Sequence, residues 1–247
     1  MSDHRSLRRF NLIAGVAHAA QACLMVALSN SVSLPVTALF ATTQPGRPTA
    51  TETVSELFRY PLGLAVALFS ALSAFFHFVV ASGWGYPRYS ADLNAGRNRF
   101  RWVEYSISSS LMIVLIAGLT GVNDVAALVA LFGVNASMIL FGWLMELMNP
   151  VRPAATWTPF VFGCIAGVVP WISILIYLVG SNGPPTFVYG IFVSLFVCFN
   201  SFAITQFLQY RAHGRWADYL RGERVYIWLS LIAKTLLAWQ IFANVLV

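Results

Sequence analysis

Seven stretches of about 20 mostly apolar residues follow one another along the chain, each long enough to cross the hydrocarbon core of a bilayer as one helix. They cover residues 10–29, 61–82, 97–120, 125–145, 157–179, 187–210 and 225–247. This spacing predicts an all-α membrane protein, a seven-transmembrane helix bundle that forms a single domain over residues 1–247. Composition agrees, since 58% of the residues are apolar and only 10% are charged, where soluble domains carry about 25% charged residues. A disordered chain is excluded and a soluble enzyme is disfavoured. The first run follows Arg5, Arg8 and Arg9 and lacks a small-residue cleavage site, so it is read as a span rather than as a removed signal peptide.

Five of the six connections are short and carry breakers such as Gly83-Trp84-Gly85, Asn149-Pro150 and Asn182-Gly183-Pro184-Pro185. The sixth, residues 30–60, alternates Thr, Pro and Gly with apolar residues, which predicts a short β-hairpin lying over one membrane face. No internal repeat is visible, which argues against an inverted-repeat transporter. The formal charge of +6 comes from fourteen arginines and one lysine against nine acids. Twelve of the arginines fall in the N-terminal tail and in the connections on one side, and only Arg47 and Arg59 fall on the other. Short loops rich in Lys and Arg stay cytoplasmic, so the N-terminus is expected inside the plasma membrane and the C-terminus outside, the reverse of the common seven-helix receptors. Because the arginines sit between apolar runs, a nucleic-acid footprint is a poor reading. Cys23, Cys164 and Cys198 lie within apolar runs and are expected to be core thiols.

The only lysine, Lys234, lies nine residues after Val225, about 14 Å along a helix and near mid-membrane. An ammonium at that depth is costly, and intramembrane ionisable groups mark function. A desolvated lysine also forms Schiff bases with carbonyl compounds, because burial favours the nucleophilic amine. Such a site needs an anion, and Glu104 is the candidate, since the other eight acids are placed in loops or at helix ends. The arginines around it, Arg101 included, are expected to snorkel to the headgroups. Ser230 stands four residues before Lys234 and Ser108 four after Glu104, each on the same helical face as its neighbour. His18 and His77 lie in the same half as Glu104, which suggests a local proton-holding cluster. A metal site is not expected, because no two of these residues show ligand spacing within one helix. Trp143, Trp171, Trp239, Phe199 and Phe202 could wall a flat hydrophobic ligand.

The segments Phe100-Arg-Trp-Val-Glu-Tyr-Ser-Ile-Ser-Ser-Ser110, Phe132-Gly-Val-Asn-Ala-Ser-Met-Ile-Leu-Phe-Gly-Trp143, Gly163-Cys-Ile-Ala-Gly-Val-Val-Pro-Trp171, Leu220-Arg-Gly-Glu-Arg-Val-Tyr226 and Ala233-Lys-Thr-Leu-Leu-Ala-Trp-Gln240 closely resemble heliorhodopsins, from end to end of the chain. The resemblance implies a retinal-binding seven-helix protein with a cytoplasmic N-terminus, an ordered first extracellular loop and a homodimeric state. Carried over by position, Lys234 would hold all-trans retinal covalently, with Glu104 as counterion and Ser230 as a hydrogen-bond partner of the pair. His18, His77, Ser73 and Asn98 would form a polar network on the cytoplasmic side. Asn135, Met138, Ile139, Gly142 and Trp171 would line the chromophore. The function so implied is a light sensor with internal proton transfer and a slow signalling photocycle, informing an unknown cytoplasmic partner without net ion transport. The rival readings are a light-driven proton pump and a light-gated channel. In pumps among the other microbial rhodopsins carboxylates stand at positions that here read Glu104, Ser108, Leu115 and Ser230, and the outer half lacks the polar lining a channel needs.

Overall fold

The computed structural model describes residues 2–40, 53–150, 152, 154–180 and 184–246. Arg47, the tip of the first loop, Asn182, Gly183 and Val247 lie outside the described residues. The elements run α1 (Ser2–Leu28), β1 (Ser33–Phe40), β2 (Thr53–Pro61), α2 (Leu62–Ala81), α3 (Gly85–Asn94), α4 (Arg99–Leu119), α5 (Val125–Met148), α6 (Thr158–Gly180), α7 (Thr186–Arg211) and α8 (Tyr219–Ile241). A single 3-10 turn precedes α8 and a π turn, Phe242–Leu246, extends it. All but α3 are long and apolar enough to cross a membrane, so the seven-helix expectation holds.

The pattern of the spans is inverted relative to a soluble bundle. Large apolar side chains such as Ile13, Leu64, Ile165, Ile176 and Val193 face outward, as lipid permits, while polar residues such as Gln21, Ser70, Ser73 and Ser108 are buried between helices. Two of the cysteines follow the outward pattern: Cys23 and Cys164 are exposed rather than core thiols, while Cys198 is half-buried and packs against the apolar core. Their apolar runs are uniform around the helix, and in lipid such a run does not say which face turns inward.

Side-chain caps set several helix starts. Asn98 accepts from the Arg101 backbone N–H at the head of α4, Asp124 from Ala127 at the head of α5, and Asp218 from Leu220 at the head of α8. The predicted hairpin is present: β1 pairs antiparallel with β2, with a bulge between Val36 and Thr37. It is tied down where the Thr37 N–H donates to the Asn123 carbonyl (2.8 Å) and the Asn30 amide to the Val245 carbonyl (3.0 Å).

One element departs from expectation. The connection read as a short breaker loop contains α3, because Tyr89 and Leu93 bury against Leu7, Ala14, Val80 and Ile227. This small core closes the arginine-rich end of the bundle. A larger apolar core fills the hairpin end, where Phe69, Met112, Ile116, Ile174, Leu195 and Leu237 meet.

Candidate functional site

Lys234 stands 15 residues into α8, about 22 Å along its axis. Glu104 lies early in α4, and both side chains are almost fully buried. Lys234 Nζ donates to Glu104 Oε1 at 2.7 Å and to Ser230 Oγ at 2.9 Å. Ser73 of α2 donates to the same Glu104 oxygen at 2.6 Å. A lone charge here would face a large desolvation cost, and the pair with its two hydroxyls offsets much of it. The Tyr105 ring lies 5.2 Å from Nζ, and its hydroxyl donates to the Tyr226 carbonyl, joining α4 to α8 beside the ion pair. Ser108 is buried one turn beyond Glu104.

On one side of this pair opens an apolar cavity of about 520 Å³, with Lys234 and Ser230 in its wall. Trp102, Trp171, Phe199 and Phe202 supply aromatic walls, and Met138, Ile139 and Gly142 of α5 line it as well. Gly142 is needed there, because a Cβ at this position would come within 2.5 Å of the Trp102 ring. Three residues expected at the lining stand elsewhere, Trp143 among them. Asn135 is buried and donates to the hydroxyls of Ser109 and Ser110, pinning α5 to α4. Trp239 is 38% exposed and packs on Phe242, since five residues at 100° each turn it about 140° away from Lys234.

On the other side lie the histidines. The rings of His18 and His77 stack with centroids 5.6 Å apart. His77 Nδ1 bonds to Asn11 Oδ1 at 2.8 Å, and both nitrogens of the fully buried His18 lack a hydrogen-bond partner among the described residues. Glu104, Ser73, His77 and Asn98 share a small cavity of about 30 Å³, so three of the four residues of the expected network meet the expected counterion around one space, and His18 stands outside its lining. Among the described residues no group of three or more His, Cys, Asp or Glu is placed to hold a metal ion.

Arg101 is the clearest correction. It does not snorkel: only 6% exposed, it donates to Glu146 Oε1 at 2.5 Å and also pairs with Glu223. Both of these acids lie towards the ends of helices, as expected, but they are buried. Asn98, expected beside the histidines, is bound into this cluster, its side chain donating to Glu223 Oε2 at 2.8 Å and its backbone N–H to Glu146 Oε2 at 2.9 Å.

Compared with known proteins, the chain matches the sequence model of the Heliorhodopsin family over residues 7–246 of 247. No curated protein matches it.

Proposed function

The chain belongs to the heliorhodopsin family, multi-pass membrane rhodopsins that sense light with retinal, and from that premise we propose that it is a photosensor whose light reaction moves a proton within the protein and not across the membrane. The residues suit the chromophore. The apolar cavity falls in the roughly 300–1,000 Å³ range of small-molecule sites, and the only lysine of the chain meets it beside a buried carboxylate. Bound retinal supplies visible absorption and isomerisation.

The protein does the rest. Lys234 attaches the all-trans chromophore through Nζ, Glu104 balances the positive charge held there, and Ser230 and Ser73 orient the pair. The aromatic walls and Gly142 leave a slot for an extended, flat group and exclude water from it. On illumination Nζ would give up its proton by way of Glu104 towards the side where Ser73 and His77 line a small cavity and His18 stacks on His77.

The observation that carries this reading is an asymmetry of buried charge. Among the described residues, every buried carboxylate, histidine and basic side chain lies at Lys234 or on the arginine-rich side of it. Beyond it the core is Met112, Ile113, Ile116, Leu237 and Ile241, where an unpaired proton would meet the full desolvation penalty. The test of the chromophore is direct: purified protein supplied with all-trans retinal takes on a visible band, and a protein that stays colourless contradicts the proposal.

We place the N-terminus in the cytoplasm at the plasma membrane. Contacts support the grouping of arginines at one end, with Arg8 donating to the Ala81 carbonyl, Arg152 to the Gly96 carbonyl and Arg224 to Asp3. A protease-sensitive tag at residue 1 is expected to be protected in intact cells and one after Val247 to be cleaved; the reverse pattern overturns the orientation. The hairpin's exposed Leu39, Phe40 and Phe58 support a homodimer. The arginine-rich end is where an as yet unidentified cytoplasmic signalling partner would read the change.

A further inference from the structure

Three charged side chains that this light reaction leaves unused meet at the arginine-rich end of the bundle. Arg101 of α4 lies between Glu146, in the last turn of α5, and Glu223, in the second turn of α8. One cation faces two carboxylates, which leaves an excess negative charge where all three residues are at most 6% exposed. Such a charge is strongly disfavoured unless something neutralises it.

The two carboxylates are not equivalent. Glu146 accepts from Arg101 and Tyr219 on Oε1, and from the Asn98 backbone N–H and Trp102 Nε1 on Oε2. That fills the roughly four acceptor positions of a carboxylate. Among the described residues Glu223 accepts from Arg101 and from the Asn98 side chain alone. It also lines the small cavity that Glu104, Ser73 and His77 line. At about 30 Å³ this cavity exceeds the ~10–15 Å³ a single water needs. Tyr226 lines it too, with a buried hydroxyl that has no partner among the described residues. Of the other two phenols in the wall, Tyr105 donates to the Tyr226 carbonyl and Tyr89 stays neutral, because burial pushes it up to about 12.

We propose that Glu223 is the resting place of the proton that light releases from Nζ of Lys234. The proposal rests on the internal-transfer reading and names its acceptor. The N–H bond at Nζ breaks, Glu104 and a water in the cavity each take one proton and pass one on, and an O–H bond forms on Glu223. At the end Nζ is neutral, Glu104 is again a carboxylate, and the Arg101 cluster has gone from one net negative charge to none. Recovery runs the same steps backwards. Neutral Glu223 holds Arg101 less tightly, so the light reaction loosens the tie between α4 and α8 at the end of the bundle that faces a cytoplasmic partner.

Infrared difference spectra of the retinal-loaded protein test this. A carbonyl stretch of a protonated carboxylic acid is expected to rise and decay with the photoproduct that has lost its proton at Nζ. It is expected to shift in Glu223→Asp and to vanish in Glu223→Gln, where the yield of that photoproduct falls several-fold. A band unchanged in Glu223→Gln, or no band while that photoproduct forms, overturns the assignment alone; absence of any such photoproduct overturns the internal-transfer reading with it. The protein without retinal gives a second readout. Gln at 223 imitates the protonated acid, so Glu223→Gln is expected to melt no lower than the parent, whereas Arg101→Gln, which leaves two carboxylates unpaired, melts lower. If Glu223→Gln melts as low as Arg101→Gln, Glu223 is required as an anion and the proposal fails.

Discussion

Replacing Lys234 with alanine is expected to abolish visible absorption altogether when retinal is supplied. No other lysine exists in the chain, and the Nζ that would hold the chromophore meets the cavity only at this point of α8. Loss of colour in this variant could also follow from misfolding. Alanine leaves Glu104 as an unpaired charge nearly out of reach of water, and breaking a buried pair by removing one partner costs about 3–5 kcal/mol. The double variant Lys234→Met with Glu104→Gln removes both charges and keeps most of the volume, so it is expected to fold closer to the parent and to be equally colourless. Full visible absorption in either variant would contradict the role of Lys234.

The second large effect belongs to Glu104. With retinal held on Nζ, its carboxylate would stabilise positive charge localised near Nζ, and excitation would move that charge away along the chromophore, so the anion would widen the gap between the two states. Glutamine keeps the shape and can still accept from Ser73 and Nζ, but its contact is neutral, and charge-assisted hydrogen bonds are roughly twice as strong. Glu104→Gln is therefore expected either to move the band to longer wavelength or to convert part of it at neutral pH to the ultraviolet band of an unprotonated linkage. Glu104→Asp retains the charge and is expected to stay close to the parent. A spectrum and a pH titration both unchanged in Glu104→Gln would remove it as the counter-charge.

These two residues were legible in the sequence because a lone lysine and a lone acid in long apolar runs have no bland explanation. The depth of Lys234 needed only helix geometry, and the serines at four-residue spacing followed from the helical period. The Arg101 cluster was not legible for an equally physical reason. Apolar runs end where charges begin, so the fourth span was stopped at residue 145 and the seventh started at 225, leaving Glu146 and Glu223 outside. The helices continue to Met148 and begin at Tyr219, with Arg101 of α4 pairing with both acids across three helices. Pairing between distant segments is what hydropathy along one segment omits. The same limit hid α3, whose burial depends on Leu7 and Ile227 from the two ends of the chain. It also misplaced Cys23, Cys164 and Trp239, since in lipid an apolar side chain is at home on either face. The hairpin was legible because its Thr and Pro content interrupts a pattern that is otherwise all helix.

Light is expected to move a proton inside this protein and none across the membrane. Illumination of an unbuffered suspension of cells in which the retinal-loaded protein shows its visible band tests it most directly. The expected result is no sustained change in external pH, with or without a protonophore. A sustained change that the protonophore abolishes would contradict the account and make the protein a light-driven pump.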